Sequence, residues 1–140
     1  MARTIAKDYE EKRRLILKAA AEVFAREGIA RASMNEVAKT GGISKANIYH
    51  YYISKDALLF DILDTYLSSL RKRILQLPLS GLDDIAKLKC ILEEFLLAYE
   101  GMDHEHKIQI EGLPILPEDQ QEILKGYQRD MVTVVSNVLK

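Results

Sequence analysis

The sequence predicts an all-α protein, a three-helix headpiece built around a helix-turn-helix and followed by an α-helical bundle. Three observations carry this. Apolar residues recur at three- and four-residue spacing, with no strand-like alternation, no low-complexity segment and no internal repeat. Between Ser33 and Tyr52, two serine caps flank the pair Gly41-Gly42, which marks two short helices joined by a tight turn. Beyond residue 54 the breaks are widely spaced, at Pro78 to Gly81, at Gly101 and at Gly112-Leu113-Pro114-Ile115-Leu116-Pro117, which leaves room for long helices.

The first helix is expected from about Tyr9 to Glu27, because Leu15, Ile16, Ala19, Ala20, Val23 and Phe24 share a face and Gly28 is a stop signal. Arg3, Lys7, Lys12, Arg13 and Arg14 precede or open it, and on a flexible arm they would reach phosphate or the minor groove. Ser33-Met34-Asn35-Glu36 has the capping-box pattern and opens a second helix to about Thr40, with the Glu36 carboxylate reaching back to the cap. Ser44 caps the third. From Lys45 to Tyr51 its only aliphatic side chain is Ile48; apart from Ala46, the others donate hydrogen bonds or offer aromatic surface, which suits reading rather than packing. Ser54 caps a long fourth helix, in which Leu58, Leu59, Ile62, Leu63, Tyr66, Leu67, Leu70, Ile74 and Leu77 keep an apolar face until Pro78. A fifth helix carries Ile85, Leu88, Ile91, Leu92, Phe95, Leu96 and Tyr99; Asp103 caps a brief sixth to about Glu111. A seventh runs from Glu118, with Leu124, Tyr127, Met131, Val134, Val135 and Val138 on one side.

The segment Arg14 to Leu63, with Ile16-Leu17, Ala19-Ala20, Val23-Phe24, Gly28, Val37-Ala38, Ser44, Ile48-Tyr49, Tyr52, Lys55 and Leu58, resembles the DNA-binding domain of TetR-type bacterial transcriptional repressors. Two departures stand out: Gly41-Gly42-Ile43 replaces a frequent Ala-Gly-Val, and Ala46 stands where Gly is common. The resemblance implies a TetR-repressor-type bundle; the two further dimerisation helices usual in that family are expected to be missing, the chain being either truncated or unusually small in its body. It divides the chain into a DNA-binding domain at 1–54 and an effector-binding and dimerisation domain at 55–140. It also implies phosphate contacts from Ser33, Tyr49 and Lys55, and base or nearby backbone contacts from Lys45, Asn47 and His50. Lys suits guanine O6 and N7, and Asn suits adenine. Ser44 belongs to the same surface, Tyr51 would stack or touch phosphate, and Tyr52 is assigned to packing. An effector pocket in the body is implied too, for which the soft and semi-polar residues Tyr66, Cys90, Phe95, Tyr99, Met102, Tyr127 and Met131 are candidates.

Composition fits this. Residues 1–56 hold 11 Lys and Arg against 7 Asp and Glu, while residues 57–140 hold 9 against 14, a basic head on an acidic body within a net charge of −1. A single cysteine, Cys90, excludes an intrachain disulfide and points to a reducing cytoplasm. No apolar run reaches the roughly 18 residues of a membrane-spanning helix, so no membrane partner is expected. Asp103-His104-Glu105-His106 invites a metal reading, but on a helix its two imidazoles lie about 200° apart. The phosphate-binding glycine loop, the nucleophile elbow and zinc-type spacings are absent from the sequence, so neither enzyme nor cofactor is expected. The expected partners are double-stranded operator DNA, a small-molecule effector and a second copy of the chain. The main rival is a helical protein-interaction module that does not bind DNA; a third reading is a small enzyme using the body's cavity.

Overall fold

The computed structural model describes residues 2–140, and the described residues form seven α-helices and one 3-10 turn. The helices are α1 (Ala2–Glu27), α2 (Met34–Gly41), α3 (Lys45–Tyr51), α4 (Lys55–Leu75), α5 (Asp84–Tyr99), α6 (Asp103–Gly112) and α7 (Glu118–Leu139). The 3-10 turn, Leu113–Ile115, occupies the glycine- and proline-rich break.

Several boundaries differ from the sequence expectation. The first helix begins seven residues earlier than Tyr9, so Arg3 and Lys7 ride on α1 rather than on a flexible arm. That opening turn holds neither proline nor glycine, so nothing in it stops helix propagating back from the packed residues. α4 ends at Leu75, before Leu77 and Pro78. Asp103 is the first residue of α6 and makes no cap; Met102 holds the cap position without a side-chain bond. Asp83, passed over in the sequence, caps α5 by accepting from the Ala86 amide at 2.8 Å.

Two apolar clusters hold the helices. The larger takes Ile16, Ala20, Val23 and Phe24 from α1, Val37 from α2, Ile48 from α3, and Leu58, Leu59, Ile62, Leu63 and Leu67 from α4. Ile108, Leu116 and Leu124 close it from the other side. The smaller joins Leu70 and Ile74 of α4 to Ile91 and Ala98 of α5 and to Met131 and Val138 of α7. The larger cluster therefore crosses the division at residues 54 and 55, and α4 belongs to both.

α6 is tied to the end of α1. Lys107 Nζ donates to the Ala25 carbonyl at 2.8 Å, and Glu111 Oε1 accepts from the Ile29 amide at 3.0 Å. A lysine on the last carbonyls of a helix is favoured by both hydrogen bonding and the helix dipole. Gly112 allows the close approach: a Cβ there would lie 3.0 Å from both Ile29 Cδ1 and Leu59 Cδ1. Gly112→Ala is expected to lower stability by about 1–3 kcal/mol, as overpacking does. Urea unfolding checks this, and a variant as stable as the parent would show that α6 is not held this closely.

Candidate nucleic-acid interface and body cavities

The helix-turn-helix is set by short-range chemistry. Ser33 Oγ accepts from the Glu36 amide at 3.2 Å and Ser44 Oγ from the Asn47 amide at 3.1 Å, so both expected caps are made. The other half of the capping box is not: the Glu36 carboxylate lies 3.8 Å from the Arg26 guanidinium, drawn off by the cation. Gly42 has φ 65°, and the amides of Gly42 and Ile43 return to the carbonyls of Lys39 and Ala38, a Schellman closure of α2. Gly41 serves differently, since a Cβ there would come 3.1 Å from the Ala19 Cβ.

Within α3 only Ile48 is buried, at 0% exposure, and it pins the helix to the larger cluster. Ser44, Lys45, Ala46, Asn47, Tyr49 and His50 are exposed. Lys45 Nζ stands 6.0 Å from the Tyr49 ring centroid, at the outer limit of a cation–π contact. Ser33, half-buried, keeps its O–H free to donate while its oxygen caps α2. Tyr51 is half-buried, its ring 4.6 Å from that of Tyr9 and edge-on to His50 at 5.8 Å, so its aromatic face is already taken by α1. Tyr52 is buried, and its hydroxyl donates to Asp61 Oδ2.

The Lys55 ammonium, for which the resemblance implies a phosphate contact, is bonded within the protein. Its Nζ donates to the carbonyls of Ile29 at 2.7 Å, Ala30 at 3.2 Å and Ala32 at 3.2 Å. An ammonium has three N–H donors, so all three are used in tying the α1–α2 loop to the start of α4. A second tie passes through Asp61, which accepts from Arg13 Nε at 3.1 Å and Nη2 at 2.9 Å as well as from Tyr52. Burial works against the Arg13 charge, but the bond and the attraction to Asp61 outweigh it and hold the guanidinium above its ordinary pKa. Burial and the same carboxylate push the Tyr52 hydroxyl up. Sequence reasoning missed Asp61 and its neighbour Asp64; the available signal was two carboxylates set beside an apolar stripe on α4.

Two cavities open in the body. One, of about 500 Å³, lies between α4, α5, α6 and α7, and is lined by Phe95, Tyr99 and Met131 among the expected pocket residues, with Gln109 and Gln128 as unforeseen polar groups. The other, of about 390 Å³, lies between α1, α4 and the start of α6, and takes Tyr66 and Met102. The seven candidates therefore do not form one site. Cys90 and Tyr127 line neither cavity; the Tyr127 hydroxyl donates to Asp64 Oδ1 at 2.7 Å, and that bond and burial raise its pKa.

Two outcomes follow for the junction. Lys55→Ala is expected to cost roughly 1–3 kcal/mol in urea unfolding, the range for bonds from a charged donor and for carbonyls left unpaired; an unchanged midpoint would show that the loop closes without it. Tyr52 keeps its proton to higher pH when folded than when unfolded, so above about pH 10 the unfolded chain ionises first and stability falls as pH rises. Tyr52→Phe is expected to flatten that fall above about pH 10, and an unaltered slope would assign it to other groups.

Comparison with known proteins agrees with this geometry. The family model described as bacterial regulatory proteins, tetR family, matches residues 16–62, from α1 into α4. A TetR-family transcriptional regulator from Bordetella parapertussis 12822 superposes with a TM-score of 0.85 at 34% identity, over 94% of this chain and 68% of that one. AibR, solved in complex with isovaleryl coenzyme A and operator DNA, shares the fold with a TM-score of 0.76 at 22% identity, over 90% of this chain and 69% of its own. Among curated proteins, the transcriptional repressor KstR2 of Rhodococcus jostii RHA1 is 30% identical over 91 residues, 65% of this chain and 43% of its own length. The transcriptional regulator YuxN of Bacillus subtilis 168 is 39% identical over 72 residues, 51% of this chain and 25% of its own. The chain thus spans less than half the length of these two curated relatives. With the helix-turn-helix, the all-helical body and a relative this similar over nearly the whole chain, the protein belongs to the TetR family of transcriptional regulators, which are not enzymes.

Proposed function

We propose that the chain forms the DNA-reading and sensing part of a cytoplasmic, ligand-responsive repressor, which binds a pseudo-palindromic operator as a dimer and releases it on binding a small, mainly apolar effector. The observation that carries the reading is α3, which buries Ile48 alone and presents Lys45, Asn47, Tyr49 and His50 to solvent. Exposed hydrogen-bonding side chains on a helix anchored by Ile48 and capped by Ser44 suit contact with base edges. In this reading Lys45, Asn47 and His50 face bases, while Ser33, Ser44 and Tyr49 approach phosphate. Lys55 supports them by holding the loop before α2, and Tyr51 braces α3 against α1.

Residues 55–140 carry sensing and assembly. The cavity lined by Phe95, Tyr99 and Met131 suits an apolar effector oriented by Gln109 and Gln128. Exposed apolar side chains on the bundle, among them Ile85, Leu92 and Leu96 of α5 and Val132 of α7, support association with a second copy. A dimer would set its reading helices about 34–36 Å apart, one turn of the duplex. α4 transmits the effector's preference, because a ligand that fits a tilted α4 shifts the population by its difference in affinity for the two states.

The test is titration of the DNA beside the gene, with point mismatches, at several salt concentrations. Asn47→Ala is expected to cost ~1–3 kcal/mol and relax preference at one base pair. Tyr49→Phe is expected to weaken all duplexes alike with the salt slope unchanged, because a neutral hydroxyl releases no counterion. If both variants bind as the parent does, α3 is not the reader.

A further inference from the structure

The opening of α1 is long for what it packs against. Every residue from Arg3 to Lys12 is exposed, so these turns add nothing to either apolar cluster. They also lie outside the stretch that the family model matches, which begins at residue 16. One aromatic contact joins them to α3. The Tyr9 ring stands 4.6 Å from the Tyr51 ring with the planes 31° apart, and Tyr51 in turn stands 5.8 Å from the His50 ring with the planes 84° apart. Both distances fall in the range, about 4.5–7 Å, over which aromatic pairs attract. His50 is exposed, and among the described residues its ring has no hydrogen bond or ion pair, which leaves Tyr51 as the group that orients it.

We propose, on the reading of α3 as the surface that meets DNA, that Tyr9 is a positioning residue for base recognition. It fixes the Tyr51 ring, and through that ring the plane in which the His50 imidazole is offered to a base edge. The torsion that turns an imidazole about its Cβ–Cγ bond is broad, so an exposed histidine does not hold one plane by itself. A hydrogen bond between a ring nitrogen and a base edge, however, weakens steeply as its angle closes. A perpendicular neighbour narrows the choice before DNA arrives, provided that the neighbour is itself held. Tyr51 is half-buried, and the ring that covers it from α1 is Tyr9. Tyr9 acts through Tyr51 and touches no base; its ring is what is needed, and its hydroxyl is not.

Two measurements test this, the first without DNA. In the free protein, Tyr9→Ala is expected to move the His50 ring-proton resonances toward those of an unstructured histidine, and Tyr9→Phe to leave them in place. The second uses duplexes with one base pair changed at a time. Tyr9→Ala is expected to reduce discrimination about two- to tenfold at the pair that His50→Ala affects, the factor that one aromatic contact carries. Discrimination at the pair governed by Asn47 is expected to stay as in the parent. Tyr9→Phe is expected to restore the parent's behaviour, and in a His50→Ala background Tyr9→Ala is expected to have no further effect on discrimination. The proposal is overturned if the His50 resonances ignore Tyr9→Ala, or if discrimination falls equally at every pair, as a general loosening of the headpiece would make it. It is equally overturned if the loss persists in the His50→Ala background, or if His50→Ala itself alters no pair. Asn47→Ala tells these results from a failure of the α3 reading: it relaxes one preference if α3 is the reader, and none if it is not.

Discussion

The constraint on which the rest depends is that one unbroken helix serves two cores. The first half of α4 packs Leu58, Leu59, Ile62, Leu63 and Leu67 under α1, α2 and α3, and its second half packs Leu70 and Ile74 against α5 and α7. A packed interior moves between discrete arrangements rather than deforming smoothly, so a change at one end of such a helix is felt at the other. Polar ties reinforce the sharing. Asp61 binds α4 to Arg13 of α1 and to Tyr52, while Asp64 and Arg71 bind it to Tyr127 and Asp130 of α7.

α6 adds a second line of contact between body and headpiece. Lys107 and Glu111 tie α6 to the end of α1, and Gly112 lets α6 sit close against Ile29 and against Leu59 of α4. The loop that follows is held from the other side by Lys55. The turn leading into the helix-turn-helix is thus clamped by a basic residue of α4 and by a basic and an acidic residue of α6. Neither clamp touches α3, yet both fix where α2 begins and so how α3 is presented.

What the sequence made legible was what local chemistry decides. Ser33, Ser44 and Ser54 cap the helices they were expected to cap, and Ile48 alone is buried in α3, because caps and helical periodicity act over three or four residues. Contacts between distant residues were not legible. Lys55 was read as a phosphate contact, yet it turns inward to carbonyls more than twenty residues away, and no local pattern announces that. Glu36 is taken by Arg26 for the same reason. The soft residues of the body line two cavities rather than one, and Cys90 and Tyr127 line neither. Periodicity places Tyr66 and Tyr127 on apolar faces, but only packing shows that one borders the cleft against α1 while the other is bonded to Asp64.

The central claim is that the exposed face of α3, positioned by these ties, is the surface that meets DNA. Mapping amide chemical-shift changes on adding duplex at low salt tests it most directly. The account predicts that the largest changes fall on Ser33 to Glu36 and Ser44 to Tyr51, with smaller ones along α4. Changes confined to α5 and α7, with the α3 amides unmoved, would contradict it.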